Sequence, residues 1–373
     1  MLKQSLKLMI PGPIQPDPAV LQAMGSPVPP HYGPAFTDFY NETLSLLRQV
    51  IQTSGDIFLM PGSGSAGIDA CLGSALLTGE KLLVGINGFF GQRLVAIAES
   101  SGLVTVPVNA EWGQPLRSAD FAAALDAHPD ARAVAVVHLE TSTTIANPIA
   151  EIGALCRQRG VLFFVDAVSS LGGLPFQMDD WGIDLMASAT QKCLGAPPGL
   201  APVAVGPRAW ESIDRVPSSN HGWYTNLRVW RHYAEDWADW HPFPITMATN
   251  NVMALNASLN QLLAEGIATR LERYRGLALR LRQGLRQIGL RPYTPDDMLA
   301  PVLTAAYGPT GVPTGKIVSY LEREAGIKIS GGLGALKDQI IRIGHMSPTT
   351  TDADIDETLA ALRAFCEQNQ AAP

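Results

Sequence analysis

The sequence has little cysteine, little charge and no long hydrophobic run. Its 373 residues include only four cysteines, Cys71, Cys156, Cys193 and Cys366. They are widely spaced with no Cys-x-x-Cys pair, so neither a disulfide framework nor a zinc site fits. The pattern predicts reduced thiols in a cytoplasmic protein, with no metal. No stretch of about 18 apolar residues occurs, so no segment is long enough to cross a bilayer as a helix. Met1 to Ile10 holds lysines but no long apolar run and no cleavage-like site, unlike a secretory signal. Charged residues make up 16%, the formal net charge is −7, and no Lys/Arg cluster stands out. That balance argues against nucleic acid or an anionic membrane as the main partner. Internal repeats and low-complexity tracts are also lacking.

What is present is a globular composition, 46% apolar, on a chain longer than one core usually serves. After a Pro-rich start (Pro11-Gly12-Pro13, Pro16, Pro18, Pro27 to Pro30), short helices are expected near Ala19–Met24 and Phe36–Thr53. Apolar runs at Ile57–Met60, Lys81–Ile86, Val104–Val108, Ala133–His138, Val161–Val165, Asp184–Ser188 and Pro202–Val205 read as strands buried on both faces. Helical stretches alternate with most of them, which implies crossover connections and a mostly parallel sheet. Arg208–Phe243 reads as irregular, and Val252–Ile288 as a long helical stretch broken near Gly266. The remainder mixes strands (Leu303–Ala306, Ile327–Ser330, Ile340–Ile343) with helices. The predicted organisation is an arm over residues 1–18, a large α/β domain over 19–260 and a smaller α+β domain over 261–373.

Gly62-Ser63-Gly64-Ser65-Ala66-Gly67 follows a strand and opens a helix, the setting of a dinucleotide fingerprint. That fingerprint needs an acid at the end of the next strand, where this chain has Asn87-Gly88. The loop still suits a single phosphate, because a helix N-terminus offers unpaired N–H groups and positive charge. Taken alone, it equally suits an ordinary Ser/Gly turn with an N-cap. Downstream, Val161–Val165 ends in Asp166, and Lys192 follows the Asp184–Ser188 strand in a loop stiffened by Pro197 and Pro198. Both groups should face the same edge of the sheet. A Lys amine forms an imine with an aldehyde cofactor, and an Asp keeps a pyridine nitrogen protonated. A structural Asp–Lys ion pair is the competing reading.

These stretches together resemble the class V (fold type I) pyridoxal-phosphate aminotransferases, in particular the alanine/serine–glyoxylate branch. The likeness runs from Pro11-Gly12-Pro13 to Ile341-Arg342-Ile343-Gly344-His345, strongest in Pro61–Gly67, Asn87–Gln92, Glu140–Pro148, Val165–Gly173 and Thr190–Gly199. It implies a fold with a seven-stranded, mostly parallel sheet in the large, cofactor-binding domain. Lys192 would carry pyridoxal 5'-phosphate as a Schiff base and shuttle the proton, and Asp166 would bind the ring nitrogen. Ser63, Gly64 and Ser65 would hold the phosphate with Gln191 beside it, Phe90 would stack on the ring, and Thr141 would lie near the ring oxygen. Arg342 would grip the substrate carboxylate. Without the resemblance, Arg342 reads as a surface strand arginine and Phe90 as a core aromatic. The resembled family is dimeric, so Thr246 would reach the partner's phosphate and Tyr32 the partner's substrate pocket. Phe243 stands where many relatives have Tyr.

The resemblance implies a two-step, ping-pong transamination from serine or alanine to glyoxylate or pyruvate. Ser142-Thr143-Thr144, where Thr144 replaces a common Gly, resembles the ureidoglycine–glyoxylate branch. Arg342–Met346 is also similar to pyridoxamine–pyruvate transaminase, although the intact phosphate loop argues against an unphosphorylated substrate. A desulfurase-type lyase would need a mobile Cys, which neither Cys193 nor Cys366 offers. A non-catalytic sensor lacks any attached DNA-binding or partner domain.

Overall fold

The computed structural model describes residues 6–370; the first five residues of the expected arm lie outside them. Runs such as Leu82–Val84 and Phe163–Val165 are buried at every position, so they suit a sheet covered on both faces. Seven strands form it, in the spatial order Asp56–Gly62, Gly199–Val205, Leu185–Ala187, Leu162–Asp166, Ala131–Val137, Lys81–Ile86, Val104–Asn109. Gly199–Val205 is antiparallel to both of its neighbours. The other adjacent pairs are parallel. The mostly parallel α/β sheet expected from the sequence is therefore the fold. Turns at 63, 87–88, 167–169 and 188–198 leave one edge, the carboxyl side of the parallel strands, where open α/β sheets place their ligands.

A second core lies around Tyr274, Leu281, Ile317, Leu321, Ile341 and Ile355. It covers a three-stranded antiparallel sheet ordered Leu303–Tyr307, Ile340–Gly344, Ser330–Gly331. The expected strand Ile327–Ser330 is split in two: Ile327–Lys328 pairs in parallel with Lys7–Leu8 instead. Met9 and Ile14 join this second core, so the described part of the arm is packed rather than loose. The long helical stretch breaks as expected, into Thr249–Glu265 and Ile267–Gln287 around Gly266.

Arg208–Phe243 needs correction, because it is largely helical. Pro207–Arg215 buries Ala209 and Ile213, and Leu227–Asp236 buries Leu227 and Trp230. Asn226 caps the second helix, accepting from Arg228 N–H at 3.1 Å. Both helices are short and rich in charged and aromatic residues, and that loop-like composition masked an amphipathic period that the sequence does carry. No described helix is long and apolar enough to cross a membrane.

Candidate active site

Two strand ends bring an acid and an amine together. Asp166 closes Leu162–Asp166 and is buried. Lys192 lies in the turn after Leu185–Ala187, which is tightened by bonds from Thr190 Oγ1 to Pro197 O (2.6 Å) and from Gly195 N to Lys192 O (2.9 Å). Ser63, Gly64, Ser65, Phe90, Asp166, Gln191 and Lys192 line one cavity of about 250 Å³. A second cavity, of about 300 Å³, is walled by prolines, aromatics and Met253 and has no group to bind a charged ligand.

Asp166 Oδ1 accepts from Val168 N–H at 2.9 Å. Burial pushes its carboxyl up to about 6, with the Val168 N–H opposing and the charge of Glu140 adding. Burial also lowers the Lys192 amine to about 8, helped by the charge of Arg342 and opposed by Asp166. Lys192 Nζ donates to Pro11 O. Gly12 suits the place beside it, because its φ of +85° would strain a residue with a side chain.

The helix Gly64–Ala75 begins at the cavity. Ser63, its N-cap, makes no side-chain capping bond, so the first-turn N–H groups have no side chain in front of them. Gln191 Oε1 is buried without a hydrogen-bond partner. At the next strand end, the amide of Asn87 is bonded to Asn147 (2.9 and 3.2 Å) and to Gln114 O. That side chain is committed internally, and the strand itself ends without an acid for a dinucleotide ribose.

The other expected residues are not among those that line this cavity, although Arg342 is near enough for its charge to act on Lys192. Thr141 is buried, and its carbonyl accepts from Arg342 Nη1 at 3.0 Å, while Arg342 Nε donates to Gly331 O at 2.8 Å. Burial lowers the guanidinium of Arg342 to about 10, with the charge of Glu140 opposing. Tyr32 is 50% exposed, stacks on Trp240 at 5.5 Å and borders the apolar cavity. Thr246 is exposed. Phe243 is buried against Tyr40 and Phe36.

Sequence reasoning missed Arg93 and Glu140. Arg93 lines the cavity, 4.9 Å from the centre of the Phe90 ring. Its position one helical turn after Phe90 was a usable signal. Glu140 is fully buried and accepts four hydrogen bonds. Two of them come from Ser142, two residues on, and the other two from Phe90 and Gly91, which nothing local in the sequence shows.

The class-V aminotransferase model matches residues 25–357. This chain belongs to the class-V aminotransferases. An uncharacterized aminotransferase of Methanocaldococcus jannaschii is 36% identical over 91% of this chain and 87% of its own length. The crystal structure of ureidoglycine–glyoxylate aminotransferase from Bacillus subtilis superposes with a TM-score of 0.93 at 32% identity, covering 100% of this chain and 95% of that one. Alanine–glyoxylate aminotransferase from Nostoc sp. gives 0.93 at 33% identity, covering 98% and 96%. The aminotransferase is therefore a pyridoxal-phosphate-dependent transaminase with the fold type I architecture. The cavity suits that cofactor. It offers an uncapped helix N-terminus for a phosphate, Gln191 with its Oε1 unpartnered beside it, and a buried carboxylate, Asp166, to face a ring nitrogen.

Proposed function

We propose that this transaminase moves an amino group from serine or alanine to glyoxylate or pyruvate. The observation that carries the reading is the convergence of Asp166, Lys192 and the open Gly64–Ala75 N-terminus on one cavity. When bound, pyridoxal phosphate supplies an aldehyde for amine exchange and a ring that takes up electrons from the substrate Cα. Lys192 attaches the cofactor, then takes and returns the Cα proton. A lowered pKa suits that work, because a larger fraction of the amine is neutral near pH 7. Asp166 holds the proton on the ring nitrogen. Ser63, Gly64 and Ser65, with Gln191, grip the phosphate, and Phe90 covers the ring. Thr141 would lie near the ring oxygen. Arg342, whose plane is fixed by its bonds to Gly331 O and Thr141 O, turns its remaining N–H groups to the substrate carboxylate.

We also propose a cytoplasmic homodimer with the site completed at the subunit interface. Trp223, Tyr224, Trp237, Trp240 and Tyr32 are all large and exposed, a surface that monomers seldom leave open. Thr246 would reach the partner's phosphate and Tyr32 its substrate pocket. The four buried, free cysteines fit a reducing compartment. The two main core clusters support a division near residue 260, with the arm sealing the smaller domain.

Ureidoglycine is the second donor reading, favoured by the likeness of Ser142-Thr143-Thr144 to that branch and by the similarity to the Bacillus subtilis enzyme. Pyridoxamine–pyruvate chemistry is disfavoured by the open phosphate end. Desulfurase chemistry is disfavoured by Cys193, whose buried Sγ donates to Ser169 O at 3.4 Å and whose pKa burial pushes up to about 12. The test is an absorbance spectrum of the purified protein before and after adding L-serine, L-alanine or ureidoglycine, followed by glyoxylate. A visible cofactor band that one donor removes and glyoxylate restores identifies transamination and its donor. A protein with no such band after incubation with pyridoxal phosphate would overturn the reading.

A further inference from the structure

The helix Phe89–Ser100 carries Phe90 to the cavity wall, yet it has no cap of its own. Gly88, its N-cap residue, offers no side chain. The cap comes instead from a turn about 50 residues away. Glu140 Oε2 accepts from Phe90 N–H (2.9 Å) and Gly91 N–H (3.0 Å). Glu140 Oε1 accepts from Ser142 N–H (3.0 Å) and Ser142 Oγ (2.5 Å), and Ser142 Oγ accepts from Phe89 N–H (2.9 Å). The first three N–H groups of the helix are thus all taken, and a buried negative charge sits where the helix dipole favours it. Gly88 makes room for this arrangement. A Cβ on it would lie 2.4 Å from Glu140 Cδ and 2.5 Å from Ser142 Oγ. Arg93, one turn further on, lies over the Phe90 ring on the same helix. The intervening residue, Thr141, accepts from Arg342 through its carbonyl.

We propose that Glu140, with Ser142 as its relay, is a positioning residue for the cofactor ring. It touches neither cofactor nor substrate. It fixes the backbone of Phe89, Phe90 and Gly91, and so sets where the Phe90 ring stands in the cavity. A carboxylate suits this role better than a neutral cap, because one group takes two helix N–H groups and still holds Ser142 with its other oxygen. The inference rests on the reading of Phe90 as the ring-covering residue.

The test compares the wild type with Glu140→Ala, Glu140→Gln and Ser142→Ala. The readouts are the Kd for pyridoxal phosphate binding to apo-protein, the visible circular dichroism of the bound cofactor, and Tm. The wild type is expected to bind with a clear dichroic band. Glu140→Ala should weaken binding by about tenfold or more and shrink the band. Glu140→Gln should recover most of both, since an amide oxygen still accepts from Phe90 and Gly91. Ser142→Ala should fall between. Wild-type Kd and dichroism in Glu140→Ala, with only a lower Tm, would reduce Glu140 to a structural cap and overturn the proposal. If Glu140→Ala does not fold, the other two variants decide. Wild-type values in both overturn the positioning role, and a weaker Kd with a smaller band in Ser142→Ala supports it. A wild type that binds no pyridoxal phosphate would sink the underlying reading of the cavity as well. Unaffected variants of a binding wild type sink the positioning role alone.

Discussion

Two helices start from the same edge of the sheet, each after a strand and a glycine, and they end up in opposite states. The N-terminus of Gly64–Ala75 is open, with no side-chain cap and a cavity in front of it. The N-terminus of Phe89–Ser100 is closed by the Glu140 carboxylate. Both have the unpaired N–H groups and positive dipole that attract anions. The difference is whether the chain supplies the anion itself. Where it does, the helix becomes a fixed wall. Where it does not, the helix can hold a phosphate. A glycine-rich strand-to-helix turn therefore identifies a candidate anion site only once its own cap has been accounted for.

The largest effect should come from the amine between these two ends. On the proposed reading, Lys192→Ala would remove both the cofactor attachment and the proton carrier, and kcat should fall by about 10³-fold or more. Steady-state turnover with the cofactor supplied in excess checks it. Turnover within tenfold of wild type would remove Lys192 from the chemistry.

Asp166→Asn should lower kcat by about 100-fold, because the charge opposite the ring nitrogen is lost. It also has a signature in the apo-protein. The folded carboxyl sits at about 6 against an ordinary 3.8. A raised carboxyl pKa gives stability that is present below 3.8 and lost as pH rises through about 6. Between pH 4 and pH 7 the wild type should therefore lose about 2 kcal/mol relative to Asp166→Asn. Denaturant melts of both proteins across that range measure it. Parallel pH curves would show that Asp166 does not bear an uncompensated buried charge. Bound cofactor should flatten the wild-type curve by supplying the cation.

Ser63→Asp sharpens the comparison between the helix ends directly. It gives the open N-terminus an acid of its own, as Glu140 does for the other helix. Asp is a good N-cap, so the apo-protein should gain up to about 1 kcal/mol. The same charge competes with a phosphate, and the Kd for pyridoxal phosphate should rise by roughly 30-fold. Calorimetry on apo-protein and a cofactor titration read the two signs separately. If stability and affinity rise together, the phosphate does not sit at that end.

How much of this was legible depends on how local each feature is. The seven strands were readable because runs such as Phe163–Val165 are apolar without a break. Pro207–Arg215 and Leu227–Asp236 carry a helical apolar stripe as well, but their arginines, acids and aromatics gave the segment a loop-like composition that hid it. Asp166, Lys192 and Ser63 each stand at a strand end within their own motif, so the sequence order alone places them on one edge. Glu140 works on backbone N–H groups about 50 residues away, and Pro11 meets Lys192 across 181 residues through a carbonyl. A bond to a backbone atom leaves no residue-type signal at the receiving end, so only the folded chain reveals it.

The turn that fills the closed helix end carries a cost of its own, and that gives the smallest prediction. Thr144 follows Glu140–Thr143 at a φ of +56°, and its buried Oγ1 has no hydrogen-bond partner. A β-branched residue in this region is strained, by about 1–3 kcal/mol. Thr144→Gly removes the strain and the orphaned hydroxyl, and adds the chain entropy of glycine, about 1 kcal/mol. The net change should be a gain of about 1 kcal/mol, or a rise in Tm of roughly 2 °C. If the hydroxyl is retained for substrate, the stabilised variant should discriminate less between ureidoglycine and alanine, seen in the ratio of their kcat/KM values. A variant that gains stability with an unchanged ratio would make Thr144 a tolerated strain. A loss of stability would mean that the Thr144 side chain contributes more packing than its backbone conformation costs.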